Sequence, residues 1–203
     1  MLVAARTHDY GKQPVDHLAK LLRSESIEAA QLVLPKAFSE INSYDEVTPR
    51  LVEQIRRNFE EENVKIQILG CYMDLANPDD DVRKNAVDTF KKCLKFNQIL
   101  GAAIVGTETA YPRLSRAEKK IWHPYMMDSI ARLAEEAERL DVDMAIEPVY
   151  WHPLEDLETT VKVFEKVDSS HLKMIFDPAN VLEFPEIDQD AYWKEWLCVL
   201  GDK

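Results

Sequence analysis

Short, nearly unbroken apolar runs alternate with longer amphipathic ones along the whole chain. The short runs are LVAART (2–7), AAQLVL (29–34), VKIQILG (64–70), AAIVGT (102–107), DMAIE (143–147) and LKMIFD (172–177). Most lack the apolar–polar alternation of a half-solvated strand, so they predict strands covered on both faces. The segments between them carry helical spacing. VDHLAKLLRS (15–24) puts Leu18, Leu21 and Leu22 on one face, and the segment 48–63 opens with Thr48 as N-cap and Pro49 at the first helical position. Segments 80–100 and 115–140 predict longer helices. Ser115 and Glu118 have capping-box spacing, and Pro124 is expected to offset the second of these helices rather than end it. PLEDLETTVKVFEKV (153–167) and IDQDAYWKEWLCVL (187–200) complete the set.

Strictly alternating strands and helices predict a parallel sheet, either open and doubly wound or closed into a barrel. No glycine-rich phosphate loop follows the first strand, and the chain has only 5 glycines, which weighs against a dinucleotide-binding sheet. The fold class expected is therefore α/β, a (β/α) TIM-barrel type. An eight-unit barrel takes about 250 residues. With 203 residues and six strand–helix units, about six of the eight units are expected, as an incomplete, C-terminally truncated barrel. No linker or composition shift divides the chain, so residues 1–203 read as a single domain.

Composition narrows the function classes. With 25 basic and 37 acidic side chains, the net charge of −12 argues against a nucleic-acid partner, which would need a basic patch to neutralise phosphates. A small anionic ligand held by a few local Lys or Arg stays compatible. The three cysteines, Cys71, Cys93 and Cys198, are odd in number and widely spaced, so buried or half-buried free thiols are expected and a cytoplasmic location fits. The start MLVAARTHDYG lacks the charge and apolar run of a signal peptide, and no apolar stretch approaches a membrane span of about 20 residues.

In both parallel architectures chemistry sits at the carboxyl ends of the strands. Here these ends carry His8-Asp9-Tyr10, Gln31 with Lys36, Cys71 with Tyr72 and Asp74, Thr107 with Glu108, Glu147 with His152, and Asp177 with Asn180. Glu147 and Asp177 are the sharpest signal, since each ends a consecutive strand and each is followed by proline. The prolines push their preceding acids into extended geometry. Two readings stand. Asp177 caps the following turn while Glu147 pairs with a lysine, or both acids converge on one divalent cation, which favours carboxylate oxygen. His152 reads either as an exposed loop histidine or as a site residue, and Glu108 as a helix cap or a substrate contact. His8, directly after a strand, faces a site. His17, His123 and His171 read as surface or packing residues, and Trp193 and Trp196 as core aromatics.

The pieces RTHDYG, QLVLPKAF, GTETA, AIEPVYWH and KMIFDPANVL together resemble the xylose isomerase-like TIM barrel superfamily, in particular its sugar phosphate isomerase/epimerase branch. The likeness runs along the whole chain and is strongest over 143–182. It implies one divalent metal ion (Mn, Mg, Co or Zn), with Glu147 and Asp177 as two of four protein ligands. The His and Glu that complete that set in the family have no counterpart, because CVLGDK stops where such proteins continue. It also implies Glu147 as the catalytic base that removes a proton next to the carbonyl of a sugar or sugar phosphate, through an enediolate. His8, Lys36, Glu108, His152 and Asn180 are the residues expected to contact substrate. Related endonucleases carry a metal-binding His where this chain has Asn180, which weighs further against a nucleic-acid substrate. An inosose-type dehydratase on the same barrel and a non-catalytic sugar-binding or regulatory remnant are the alternatives. Exposed apolar edges in place of the last two strands would favour a homo-oligomer.

Overall fold

The computed structural model describes residues 4–184 and 188–203. Six strands, β1 (Ala4–Arg6), β2 (Ala29–Leu32), β3 (Lys65–Gly70), β4 (Ile104–Thr107), β5 (Met144–Ile146) and β6 (Leu172–Met174), form one sheet in chain order. The strands are shorter than their apolar runs, because the terminal residues of each run turn away into loops. Residues 2 and 3 of the first run lie outside the described residues. β1 with β2, β2 with β3 and β5 with β6 pair in parallel, with Ala4 opposite Ala29, Ala29 opposite Lys65 and Met144 opposite Leu172, and a bulge between Ala30 and Gln31. Sequential parallel order with a helix after each strand is the TIM-barrel pattern, here with six strands.

The helices are α1 (Leu18–Ser24), α2 (Leu34–Ala37), α3 (Pro49–Glu61), α4 (Asp80–Leu100), α5 (Arg116–Leu140), α6 (Leu157–Val167) and α7 (Gln189–Leu200). Side-chain caps start several of them. Thr48 accepts from the Leu51 N–H, Asp156 from Thr159 and Asp188 from Ala191. Ser115 and Glu118 form the capping box in full, and two hydrogen bonds from Ser115 hold the Glu118 carboxyl below its usual range. α5 runs unbroken through Pro124, as the spacing predicts. The four-residue α2, LPKA, is not anticipated by the apolar pattern. Its Pro35 sits in the first turn, where a missing N–H costs nothing.

The chain divides into two compact units, Met1–Cys71 with Lys92–Val105, and Tyr72–Lys91 with Gly106–Lys203. The first buries Leu18, Leu22, Leu32, Phe38, Ile55 and Phe59; the second buries Met126, Ile130, Leu133, Met144, Ile146 and Trp196. In the second unit α5 packs on α6, and α6 on α7. Trp196 is fully buried against Phe176 and Tyr192, at centroid distances of 5.7 and 6.3 Å, whereas Trp193 is half-buried. Burial departs from the sequence pattern at the sheet ends: β5 is buried throughout, but β1 is exposed at Ala4 and Arg6 and β6 is half-buried at Lys173 and Met174, as end strands with one neighbour. Cys71 and Cys93 are buried thiols, whereas Cys198 is exposed, contrary to the expectation for all three; it lies on the solvent side of α7. Among the described residues no helix is long and apolar enough to cross a membrane.

Ser115 serves both the Glu118 N–H and its carboxylate. Replacing Ser115 by Ala is expected to lower the unfolding free energy by about 1 kcal/mol, read as a lower urea midpoint at constant m-value.

Candidate active site at the ends of β5 and β6

β5 is a three-residue apolar strand, and the next residue is Glu147. The Glu147 N–H still donates to the Thr107 carbonyl at 2.9 Å, so the ladder with β4 holds its backbone, and the residue is 6% exposed. A carboxylate this deep needs hydrogen-bond donors. Asn180 supplies one, its Nδ2 donating to Glu147 Oε1 at 2.7 Å. The same residue receives the Tyr150 N–H on its carbonyl at 2.8 Å, which ties the segment after β6 to the segment after β5.

Asn180 is placed by Asp177. The Asp177 carbonyl accepts from the N–H groups of Asn180 (3.1 Å) and Val181 (3.3 Å), and Asp177 Oδ1 accepts from Ala179 at 2.8 Å. This is a side-chain-stabilised turn of the kind Asp favours. The turn-capping reading of Asp177 is thus seen for one carboxylate oxygen, and the half-buried group keeps acceptor capacity on the other.

The segment after Glu147 is held at several points. The Val149 N–H donates to the Leu154 carbonyl at 2.9 Å, Leu114 donates to the Trp151 carbonyl at 3.1 Å, and Lys119 Nζ donates to the Tyr150 carbonyl at 2.9 Å while pairing with Glu155. Arg113 stacks over the Trp151 ring at 4.4 Å. Inside this segment His152 is 1% exposed, so it is not an exposed loop histidine. Among the described residues its buried Nδ1 has no hydrogen-bond partner, and it lies 3.9 Å from Glu108 Oε2, beyond hydrogen-bond range. Burial lowers the imidazole to about 4, so it is neutral at pH 7. Glu108, directly after β4, is partly exposed, and its carbonyl accepts from the Thr107 hydroxyl at 2.6 Å.

The remaining sequence candidates are placed differently. Asp74 is buried as a loop organiser, accepting from the Tyr111 N–H and the Asn77 amide. In the first unit, His8 sits in the 3-10 turn Thr7–Tyr10, half-buried, with its pKa lowered by burial first and then by Arg6; Lys36, exposed on α2, adds to that lowering. Glu147, Asp177, Asn180, Glu108 and His152 all belong to the second unit. Lys119 was missed by the sequence reading. The signal was present, because Lys119 falls on the helical stripe of Met126, Ile130, Leu133 and Ala137, and at 7% exposed it is a cation on a buried face.

The oxygen donors suit a hard divalent cation of the Mg type, which binds through one or two carboxylates and keeps several waters. Among the described residues no group of three or more His, Cys, Asp or Glu is placed to hold a metal ion.

A family model described as xylose isomerase-like TIM barrel matches residues 15–202. The chain belongs to that family. No curated protein matches it in sequence. Among solved structures it is similar to a D-psicose 3-epimerase with D-tagatose from Clostridium cellulolyticum H10 (TM-score 0.77, 16% identity, 98% of this chain and 71% of that one). It is similar also to a 3-keto-D-glucoside 4-epimerase from E. coli in apo form (TM-score 0.78, 11% identity, 100% and 76%). A third similar structure is a xylose isomerase-like TIM barrel protein from Mycobacterium smegmatis in complex with magnesium (TM-score 0.73, 14% identity, 98% and 72%). At these identities the likeness is one of fold.

The buried imidazole has a consequence for acid stability. His152 titrates at about 4 when folded against an ordinary 6.5. Between those values the unfolded chain binds more protons, so this contribution is complete above pH 6.5 and lost as pH falls towards 4. The difference is worth about 3 kcal/mol. Urea unfolding at pH 7 and pH 5 is expected to show a drop in stability that is markedly smaller in His152→Gln. His8 and His123, also lowered, act in the same direction but are common to both proteins. Equal drops in the two proteins would contradict the assignment.

Proposed function

We propose that the protein is a sugar or sugar-phosphate isomerase or epimerase that moves a proton next to a ketose carbonyl, with Glu147 as the base. The observation that carries this reading is a single carboxylate, Glu147, buried at the end of β5 and held by the Asn180 amide. Its position at the carboxyl end of a parallel strand is where this fold places chemistry. A proton α to a carbonyl is weakly acidic, so its removal needs a base held still and a means of stabilising the enediolate charge. Asn180 fixes the carboxylate in one rotamer, and the turn at Asp177 fixes Asn180. Glu147 and Asp177 would hold a divalent ion, which supplies Lewis-acid stabilisation of negative charge beside the carbonyl when bound.

His152, neutral at pH 7, and Glu108 after β4 form a polar pair 3.9 Å apart, suited to sugar hydroxyls rather than to a second proton abstraction. The hydrogen bonds of segment 148–154 hold in place the chain that follows the buried Glu147. Net charge of −12 is compatible with a neutral ketose and disfavours nucleic acid as substrate.

A panel of ketopentoses and ketohexoses, with and without phosphate, incubated in D2O with Mg2+ or Mn2+ tests the reading. Deuterium is expected at the carbon next to the carbonyl, together with an isomeric sugar and no loss of water. Glu147→Gln is expected to lower that exchange by roughly a thousandfold at unchanged thermal midpoint. Exchange that survives the substitution, or no exchange on any ketose, would sink the proposal. Magnesium binding by calorimetry is expected to be weak, on the order of millimolar, and to weaken further in Asp177→Asn.

A further inference from the structure

On the second unit, α5 and the start of α6 border a cavity of about 500 Å³ with a charge balance opposite to that of the chain. Arg116, Lys119, Lys120 and Lys162 line it against only Glu155 and Glu158, four cations facing two carboxylates in a protein of net charge −12. Both acids are already engaged, Glu155 by Lys119 and Glu158 by Lys162. Arg116 and Lys120 are left with no ion-paired or hydrogen-bonded partner among the described residues. They stand four residues apart on one helix face, a spacing at which like charges repel. The ionised helix surface elsewhere is arranged the opposite way: Arg56 lies between Glu53 and Glu60, Lys84 pairs with Asp88, and Arg139 pairs with Glu136.

The other polar groups in the cavity are donors or can become so. The His123 ring is half-buried, makes no hydrogen bond among the described residues, and is kept below its usual pKa by burial first and then by Lys166 and Lys162, with Glu155 opposing. Thr159 lines the same space in the first turn of α6, whose start carries the positive end of the helix dipole. Pro124 and Pro153 add apolar wall. The volume is in the range of small-molecule sites and well above the size of a bare oxyanion.

We propose that this cavity binds a phosphate monoester of a small polyol or sugar, with Arg116 and Lys120 on the phosphate and the carbon body against Pro124 and Pro153. An arginine offers the planar fork that matches phosphate oxygens, and a lysine adds a mobile charge. The site is separate from Glu147 and does not depend on the catalytic reading. It is linked to it mechanically, since Lys119 at the cavity wall holds the Tyr150 carbonyl, and the Tyr150 N–H holds Asn180.

The His123 ring is the reporter, followed by NMR on the full chain at constant ionic strength while glucose 6-phosphate, inorganic phosphate or chloride is added. A bound dianion stabilises the imidazolium, so glucose 6-phosphate is expected to give a saturable shift and to raise the His123 pKa. Inorganic phosphate should do so more weakly, and chloride not at all. The double variant Arg116→Gln/Lys120→Gln changes two exposed side chains and is expected to weaken glucose 6-phosphate binding at least about tenfold. A shift that fails to saturate, that chloride reproduces, or that survives in the double variant with the same affinity overturns the site. Inorganic phosphate binding as tightly as the ester overturns the assignment to an ester. Sugar turnover measured in the same double variant keeps this result distinct from the fate of Glu147.

Discussion

The hydrogen bond from the Asn180 amide to the Glu147 carboxylate is the interaction on which the candidate site depends. A carboxylate buried to 6% exposure is tolerated only if it is met by hydrogen-bond donors, and the Asn180 amide is one of them. The requirement then propagates. Asn180 must be held, which the Asp177 turn does through three hydrogen bonds, and the segment after β5 must stay in place, which the Tyr150-to-Asn180 bond does. The two acid–proline pairs are parts of one network rather than two copies of a strand-ending device.

A second layer of restraint surrounds that network. Lys119, on the buried stripe of α5, pairs with Glu155 and holds the Tyr150 carbonyl, while Leu114 holds that of Trp151. These contacts come from α5 and its approach, the longest helix in the chain. A long helix is a rigid support, so a loop hung from it samples few conformations, the condition for a carboxylate to keep one geometry. His152 is buried by the same restraint, and its neutrality follows from the burial rather than from any charged neighbour. The polar groups after β5 and β6 thus include the amide that meets Glu147 and a neutral imidazole.

Much of the fold was legible in one dimension because local rules decide it. Continuous apolar runs mark the strands, Thr48–Pro49 and Ser115–Glu118 mark helix starts, and the absence of a glycine-rich loop steers the parallel sheet towards a barrel. The exceptions have local causes too. α2 is too short to show a helical period, and the exposure of β1 and β6 depends on strand order, which no single run encodes. The exposed Cys198 shows the same limit, since one position on an amphipathic helix is solvent-facing or not according to where the helix docks.

By itself the sequence determined the alternating elements, their parallel arrangement and the two strand-end acids, because periodicity, caps and proline geometry act over a few residues. Tertiary structure alone decided what those acids are attached to. Asn180 meets Glu147 across 33 residues and Lys119 meets Tyr150 across 31. The residues could be singled out in the sequence but neither pairing could, because such pairs are set by how neighbouring strands and helices dock. The same docking made His152 a buried neutral base rather than a loop histidine, and it gathered Arg116, Lys120, His123 and Thr159 around a cavity that two separate helices share.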